Sequence, residues 1–291
     1  MATRAVYAGG MALFLWTSLA MLAFAANSVL NRMAVGAGLI DPVAYAVIRL
    51  AAGATVLALL VLGRRVLHGG ALWPGWQGRL AGVLGLLAYL FGFSTAYLTL
   101  DAGIGALILF GSVQITMFAG ALTVGEAVPY ARWAGAGMAF VGLLVLVAPD
   151  SDIGAAGPVA AMVMGGVGWG IYSLAGRGVV DPLLATATNF MLALPMAGGL
   201  AWLLGLGHAP QPTGVGLAVL SGAVTSGLGY ALWYAVVPQL GAARAGVAQL
   251  TVPMLAAGAG AVWLGEGIGF RFIVASLLVL GGVALASIAR R

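Results

Sequence analysis

Cysteine does not occur in the 291 residues, lysine is not used once, and there are only seven acids and two histidines. Without cysteine the chain has no disulfides, no thiolate metal sites and no thiol nucleophile. His68 and His208 fall in expected loops far apart in sequence, so no imidazole cluster is available; no metal and no cofactor are expected. The twelve basic residues are all arginines, scattered singly or in adjacent pairs without a longer run or an aromatic-interleaved patch. A pI near 10.0 therefore does not point to nucleic acid. No Walker loop is present, which argues against ATP hydrolysis by this chain. Nor do paired acids, or a nucleophile with its base, fall at one depth. No catalytic residue is assigned, and the chain is not read as an enzyme.

What the chain has in abundance is apolar surface. It is 63% hydrophobic and only 7% charged, with a mean hydropathy of +1.11, too little polar surface to cover a soluble globule of this size. The reading is an all-α polytopic membrane protein, because apolar runs near the ~20 residues needed to cross a bilayer recur along the chain. Ten transmembrane helices are expected, at roughly 11–31, 43–62, 80–100, 102–122, 130–148, 156–176, 183–204, 214–235, 242–263 and 269–288. Pro42, Pro129, Pro158 and Pro182 stand where helices would begin, and a first-turn proline loses no hydrogen bond. Pro74, Pro149, Pro210, Pro212 and Pro238 fall in connections, and Pro195 and Pro253 inside spans. The first run is expected to be a span and not a cleaved signal, since it is long for a signal core and has a counterpart later in the chain.

Arginine sets the expected orientation. With the N-terminus cytoplasmic, that side receives Arg4, Arg64, Arg65, Arg79, Arg132, Arg177, Arg244, Arg290 and Arg291 against Arg32 and Arg271 outside, a positive-inside bias. Both termini are then cytoplasmic. An offset of 140 carries Asp41-Pro42 onto Asp181-Pro182, Leu100 onto Leu240, Gly125-Glu126 onto Gly265-Glu266, and Gly142 onto Gly282. Shared offsets of this kind indicate duplication. The units are residues 1–150 and 151–291, each with five spans. An odd number of crossings turns the second copy over, giving the inverted repeats that accompany alternating access at a midplane site.

The DP opening the second helix of each half, the LDAG/LGAA turn and the GE closing the fourth helix resemble the EamA-type drug/metabolite transporters, over roughly 14–147 and 159–287. Within that superfamily the chain is most similar to bacterial exporters of aromatic amino acids. The resemblance implies a secondary carrier in the bacterial inner membrane, with a cavity lined mainly by the first, third, fourth, sixth, eighth and ninth helices. The expected partners are a small-molecule substrate and the lipid bilayer, and the chain is read as able to act as a monomer.

By depth, the candidate substrate-binding residues are Asn27, Tyr89, Phe93, Ser112, Gln114, Trp169, Tyr172, Tyr230, Trp233 and Gln249. Aromatic faces hold an apolar side chain and attract an ammonium, while amides and hydroxyls satisfy a zwitterion without fixed charge. Each is equally open to a role in joining helices. Phosphate cargo is disfavoured for want of converging arginines. Arg49 is the one charge placed inside a span, where insertion costs about 2.5–3.5 kcal/mol or more; it either bonds carbonyls structurally or contacts a substrate carboxylate. Glu126 and Glu266 lie at helix ends, either paired with Arg132 and Arg271 or solvating loop backbone, or else acting as gates. Pro253 frees the carbonyl of Gln249 and suggests a bending helix, opposite Gly111 and Gly120 in the other half. The glycines of MGGVGWG read as close helix packing. With no central acid or histidine, gradient-driven export of amino acids is favoured. The alternative is export of other hydrophobic metabolites or drugs, with proton antiport open if Asp101 lies deeper.

Overall fold

Two Asp-Pro pairs start two helices in the same way. The Asp41 carboxylate accepts from the N–H of Val43 at 2.8 Å and caps α2, Pro42–His68. The Asp181 carboxylate accepts from the N–H of Leu184 at 3.1 Å and caps α7, Pro182–Leu204. In both, proline at the first helical position has its φ already set and needs no acceptor. Arg64 near the end of α2 reaches Asp181 with both terminal nitrogens, one at 3.2 Å. The Gln211 N–H, beyond α7, donates to the Leu39 carbonyl before α2 at 2.9 Å. The start of each helix thus meets the end of the other, and α2 and α7 run antiparallel.

The structure is a computed structural model describing residues 2–123, 129–148, 156–177, 179–205 and 209–288. Glu126, Pro149, Asp150, Asp152 and His208 lie outside the described residues. The remaining elements are α1 (Ala2–Asn31) with a π turn at Arg32–Gly36, α3 (Arg79–Ala96), α4 (Ala102–Thr123), α5 (Tyr130–Leu146), α6 (Ala156–Ala175), α8 (Pro212–Leu220), a π segment Ser221–Leu228, α9 (Gly229–Gln249), α10 (Thr251–Leu264) and α11 (Phe270–Ile288). Among the described residues, eight helical stretches are long and apolar enough to cross a membrane, and two shorter apolar helices, 130–146 and 270–286, complete the set. Large apolar side chains such as Phe14, Leu59, Leu203 and Leu277 are exposed, as suits a surface whose solvent is lipid.

The eighth and ninth spans are divided differently from the sequence expectation. The turn expected after 235 is helical: α9 runs through Pro238 to Gln249, and the break falls at Leu250. Pro253 explains the position of that break, because its ring would clash with the Gln249 carbonyl of a continuous helix. It therefore sits in the first turn of α10, where its missing N–H had no intrahelical acceptor to lose, and not as a kink within a helix.

Small residues draw the helices together. The principal seams are α3 on α6, α5 on α11, α4 on α6 and on α10, and α2 on α7 and on the π segment, with α1 against α9 and α10. On the α3–α6 seam a Cβ at Gly85 would fall 2.6 Å from the Gly168 carbonyl oxygen, and one at Gly168 would fall 2.6 Å from that of Gly85. Neither position has room for a side chain. Gly166 and Gly170 turn instead to Ser112 and Thr116 on α4, so the glycine-rich MGGVGWG stretch serves two seams at once. Gly111 and Gly120 of α4 are filled by Leu143 and Leu174.

Candidate functional site

A cavity lies where α1, α3, α4, α6 and α9 meet. It is lined by Phe24, Asn27, Ser28, Tyr89, Phe93, Leu109, Phe110, Trp169, Tyr230 and Gln249. Its volume is about 20 Å³, room for roughly one water. Rings fill the remaining space. Trp169 lies 4.9 Å from Tyr89, 5.0 Å from Tyr172 and 5.2 Å from Tyr230, centroid to centroid, and Phe24 meets Tyr230 edge-on at 5.7 Å. The Trp169–Tyr172 pair is stacked and the others are tilted or edge-on, arrangements that suit ring quadrupoles.

Six of the residues singled out by depth, Asn27, Tyr89, Phe93, Trp169, Tyr230 and Gln249, share this wall. The other four lie outside the lining. Ser112 is buried on the α4–α6 seam against Gly166. Tyr172 stacks on Trp169 and hydrogen-bonds the Thr186 hydroxyl at 2.9 Å. Trp233 packs edge-on against Phe24 at 5.7 Å, and Gln114 is half-buried on α4. Phe24 and Ser28 are wall residues that depth alone missed. Phe24 stands three before Asn27 and four before Ser28, and those two spacings were the available signal, since residues three or four apart share a helix face.

Asn27 has a structural task besides. Its Oδ1 accepts from Ser221 Oγ at 2.8 Å and from the hydroxyls of Thr225 and Ser226, while Nδ2 donates to the Thr225 carbonyl at 3.3 Å. A π turn holds more than four residues, so residues four and five apart, here Ser221, Thr225 and Ser226, point the same way. Gly222 in this segment lies so close to the Arg49 carbonyl and Ala52 that a side chain would not fit.

Arg49 stands directly behind the wall. It is fully buried. Nε donates to Ser226 Oγ at 3.1 Å and Nη2 to the Tyr89 hydroxyl at 2.8 Å. Its Cζ lies 5.2 Å from the Tyr89 ring centroid and 5.0 Å from that of Phe93, within cation–π range. Nη1 is buried without a hydrogen-bond partner among the described residues.

At one end of the bundle, Glu266 pairs with Arg32 and not with Arg271 as the sequence suggested. Arg32 Nε lies 3.3 Å from Glu266 Oε1, and Arg32 Nη2 is 3.7 Å from Asp101. Arg32 also donates to the carbonyls of Tyr97 and Leu98. Glu266 Oε2 accepts the Ala102 N–H at 2.8 Å, capping α4 from a loop far away in sequence. The carboxylate is held there because the π turn after α1 aims Arg32 across the α3–α4 connection, whereas Arg271 starts the next helix. Burial, reinforced by Asp101, raises the Glu266 pKa above the ordinary carboxylate value against the opposing pull of the Ala102 N–H and Arg32. At the other end, Arg79 donates to the Ala185 carbonyl at 2.8 Å and to Asn189 at 2.9 Å, near the Arg64–Asp181 pair. Among the described residues no group of three metal-ligating side chains occurs.

Residues 157–288 match the EamA-like transporter family. The chain is 45% identical over 273 residues to an uncharacterized protein of Pseudomonas aeruginosa, covering 93% of each. It is 24% identical over 255 residues to an uncharacterized transporter of Archaeoglobus fulgidus, covering 84% of this chain and 88% of that one. A solved crystal structure superposes with a TM-score of 0.68 at 20% identity, over 95% of this chain and 97% of the other, a likeness of fold. The family match over the second part of the chain, together with the apolar helices, supports a multi-pass membrane protein of the EamA-like transporter kind.

Proposed function

We propose that the protein is a secondary carrier that exports amino acids, aromatic or large neutral, across the bacterial inner membrane by alternating access at the ring-lined cavity. The observation that carries this reading is the wall itself: Phe24, Tyr89, Phe93, Trp169 and Tyr230 with Asn27, Ser28 and Gln249. Apolar faces with a few amides and hydroxyls match a cargo with an apolar body and a polar head.

Two inverted five-helix repeats underlie the mechanism in this reading. Supporting them, the partners related by the offset of 140 make related contacts: Gly82 packs against Asn189, and its counterpart Gly222 against Arg49. Gly135 and Gly282 pack on each other's carbonyls. Antiparallel α2 and α7 share the same cap. Rocking of one half against the other opens the Arg32–Glu266 end or the Arg64–Asp181 end in turn, with both termini on the cytoplasmic side. The family's transport role and the absence of acids from the wall support gradient-driven export.

The test is counterflow in liposomes containing the purified protein, with labelled phenylalanine, tryptophan, methionine and threonine, and with Trp169→Ala and Gln249→Ala as controls. Exchange of phenylalanine and tryptophan that both substitutions impair is the expected result. Absence of flux for all four would turn the assignment to other hydrophobic metabolites.

A further inference from the structure

We propose that Arg49 forms an anion subsite of the cavity, one that takes the carboxylate of the cargo once the Tyr89 ring swings aside. This rests on reading the cavity as the cargo site and names the chemical group that the site selects.

The first argument is charge. The described ion pairs are Arg32–Asp101, Arg32–Glu266 and Arg64–Asp181; none includes Arg49. A guanidinium removed from water needs a counter-charge or a full set of acceptors. Arg49 has two hydroxyls, of Ser226 and Tyr89, and two ring faces. Uncharged partners offset only part of the lost hydration, and a diffusible anion would supply the rest.

The second argument is geometry. Nη1 has no acceptor, while its neighbour Nη2 is held by the Tyr89 hydroxyl. These two nitrogens form one edge of the guanidinium fork, the edge that binds both oxygens of a carboxylate. Half of that edge has no acceptor among the described residues and half is covered by the Tyr89 hydroxyl. Tyr89 and Phe93, the rings packed on the guanidinium, also line the cavity, so they stand between the charge and the space a cargo would enter. A cavity with room for about one water must move rings to admit anything larger. Rotation of Tyr89 would both widen it and uncover Nη2.

The third argument concerns the surrounding polar groups. Asn27 Oδ1 is already occupied by hydroxyls of the π segment, and Ser226, which holds Nε, belongs to that same segment. The guanidinium is therefore braced from behind by the π segment, with the Tyr89 ring between it and the cavity. The class of ligand that fits is a small carboxylate carrying an apolar or aromatic body.

Purified full-length protein in detergent, followed by tryptophan fluorescence, tests this with phenylacetate, phenylacetamide, chloride and inorganic phosphate. Phenylacetate is expected to bind the wild-type protein at least about 10-fold more tightly than the amide, as a charge-assisted fork bond implies. Arg49→Gln should abolish that ratio while amide binding persists, and Arg49→Lys should restore part of it. Tyr89→Phe, which removes the placeholder hydroxyl, should tighten phenylacetate by about 3-fold or more, the scale of one hydrogen bond. Equal wild-type affinity for acid and amide overturns the proposal, as does weaker acid binding by Tyr89→Phe. Displacement of phenylacetate by chloride or phosphate at similar concentrations also overturns it, in favour of an inorganic-anion site. If Arg49→Gln fails to fold, the wild-type ratio and Tyr89→Phe decide. Counterflow separates the two readings: no amino-acid flux with acid-selective binding intact removes only the transport assignment. Equal flux of phenylalanine and phenylethylamine removes only the subsite.

Discussion

Arg32 and Glu266 are 234 residues apart in sequence, and their side chains meet at 3.3 Å. The contact ties the end of α1 to the loop before α11, and through Glu266 Oε2 to the first N–H of α4. One carboxylate thus holds three elements at one mouth of the bundle.

Glu266→Gln keeps the shape of the side chain but removes its charge. It should weaken this closure by about 1.5–3 kcal/mol, the range for hydrogen bonds to charged groups. Because the chain has no cysteine of its own, a Ser28→Cys probe in the cavity wall reports closure cleanly. Thiol labelling is expected to quicken at least several-fold in the Gln background; unchanged labelling would show that the pair is not a lock.

The same carboxylate sets a pH dependence. Its pKa is raised in the closed structure, with burial the largest cause. A raised native pKa means that the folded protein binds the proton better than the unfolded chain does. Its contribution to stability is full below the ordinary value of 4.5 and is lost as pH rises through the raised value. Asp181 acts in the opposite sense. Burial would raise its pKa, but the Arg64 hydrogen bond and the N–H groups of Leu184 and Leu183 outweigh it and hold the pKa below 3.8. Its contribution is full above 3.8 and is lost as pH falls through the lowered value. Melting temperature should therefore rise on acidification toward 4.5 and fall below 3.8. Glu266→Gln should remove the first slope and Asp181→Asn the second.

Asn27→Leu strands the hydroxyls of the π segment. Loss of a buried acceptor costs about 1–3 kcal/mol, visible as a lower melting temperature in detergent. Replacing the donors as well, with Ser221→Ala and Thr225→Val, should recover much of the loss. A triple variant no better than the single one would contradict the network.

Gly85→Ala places a methyl group 2.6 Å from the Gly168 carbonyl oxygen and 2.9 Å from the Tyr172 nitrogen. Both are backbone atoms, so the helices must separate, and the cost should be about 1–3 kcal/mol, as for an overpacked core. Gly63→Ala, where a Cβ meets nothing within 4 Å, serves as the control and should leave the melting temperature unchanged or slightly higher.

Much of this fold could be read directly from the chain, because the constraints that set it are local. Apolar length dictates a crossing, and Asp-Pro dictates a start, as at Pro42 and Pro182. Depth also follows from sequence, which is how Trp169 and Gln249 came to be singled out. Rotation about the helix axis does not: in lipid both the outside and the interior of the bundle are apolar, so no polar stripe told Ser112, on a seam, from Phe110, on the cavity wall. Long-range pairing was hidden for another reason. Arg271 lies five residues from Glu266 and Arg32 lies 234 away, yet it is the π turn after α1, which carries no sequence signature, that selects the distant partner. The π segment at Ser221–Leu228 was invisible for the same cause, and with it the tie between Asn27 and the brace behind Arg49.

The cavity walled by Tyr89, Trp169 and Tyr230 holds about 20 Å³, and so little volume has an electrical consequence. A space for about one water cannot itself hold a file of solvent, so the idle protein is expected to conduct protons and small ions poorly. Cells could then carry it at high copy number without short-circuiting their membrane potential, and any conductance it shows should arise only in step with turnover.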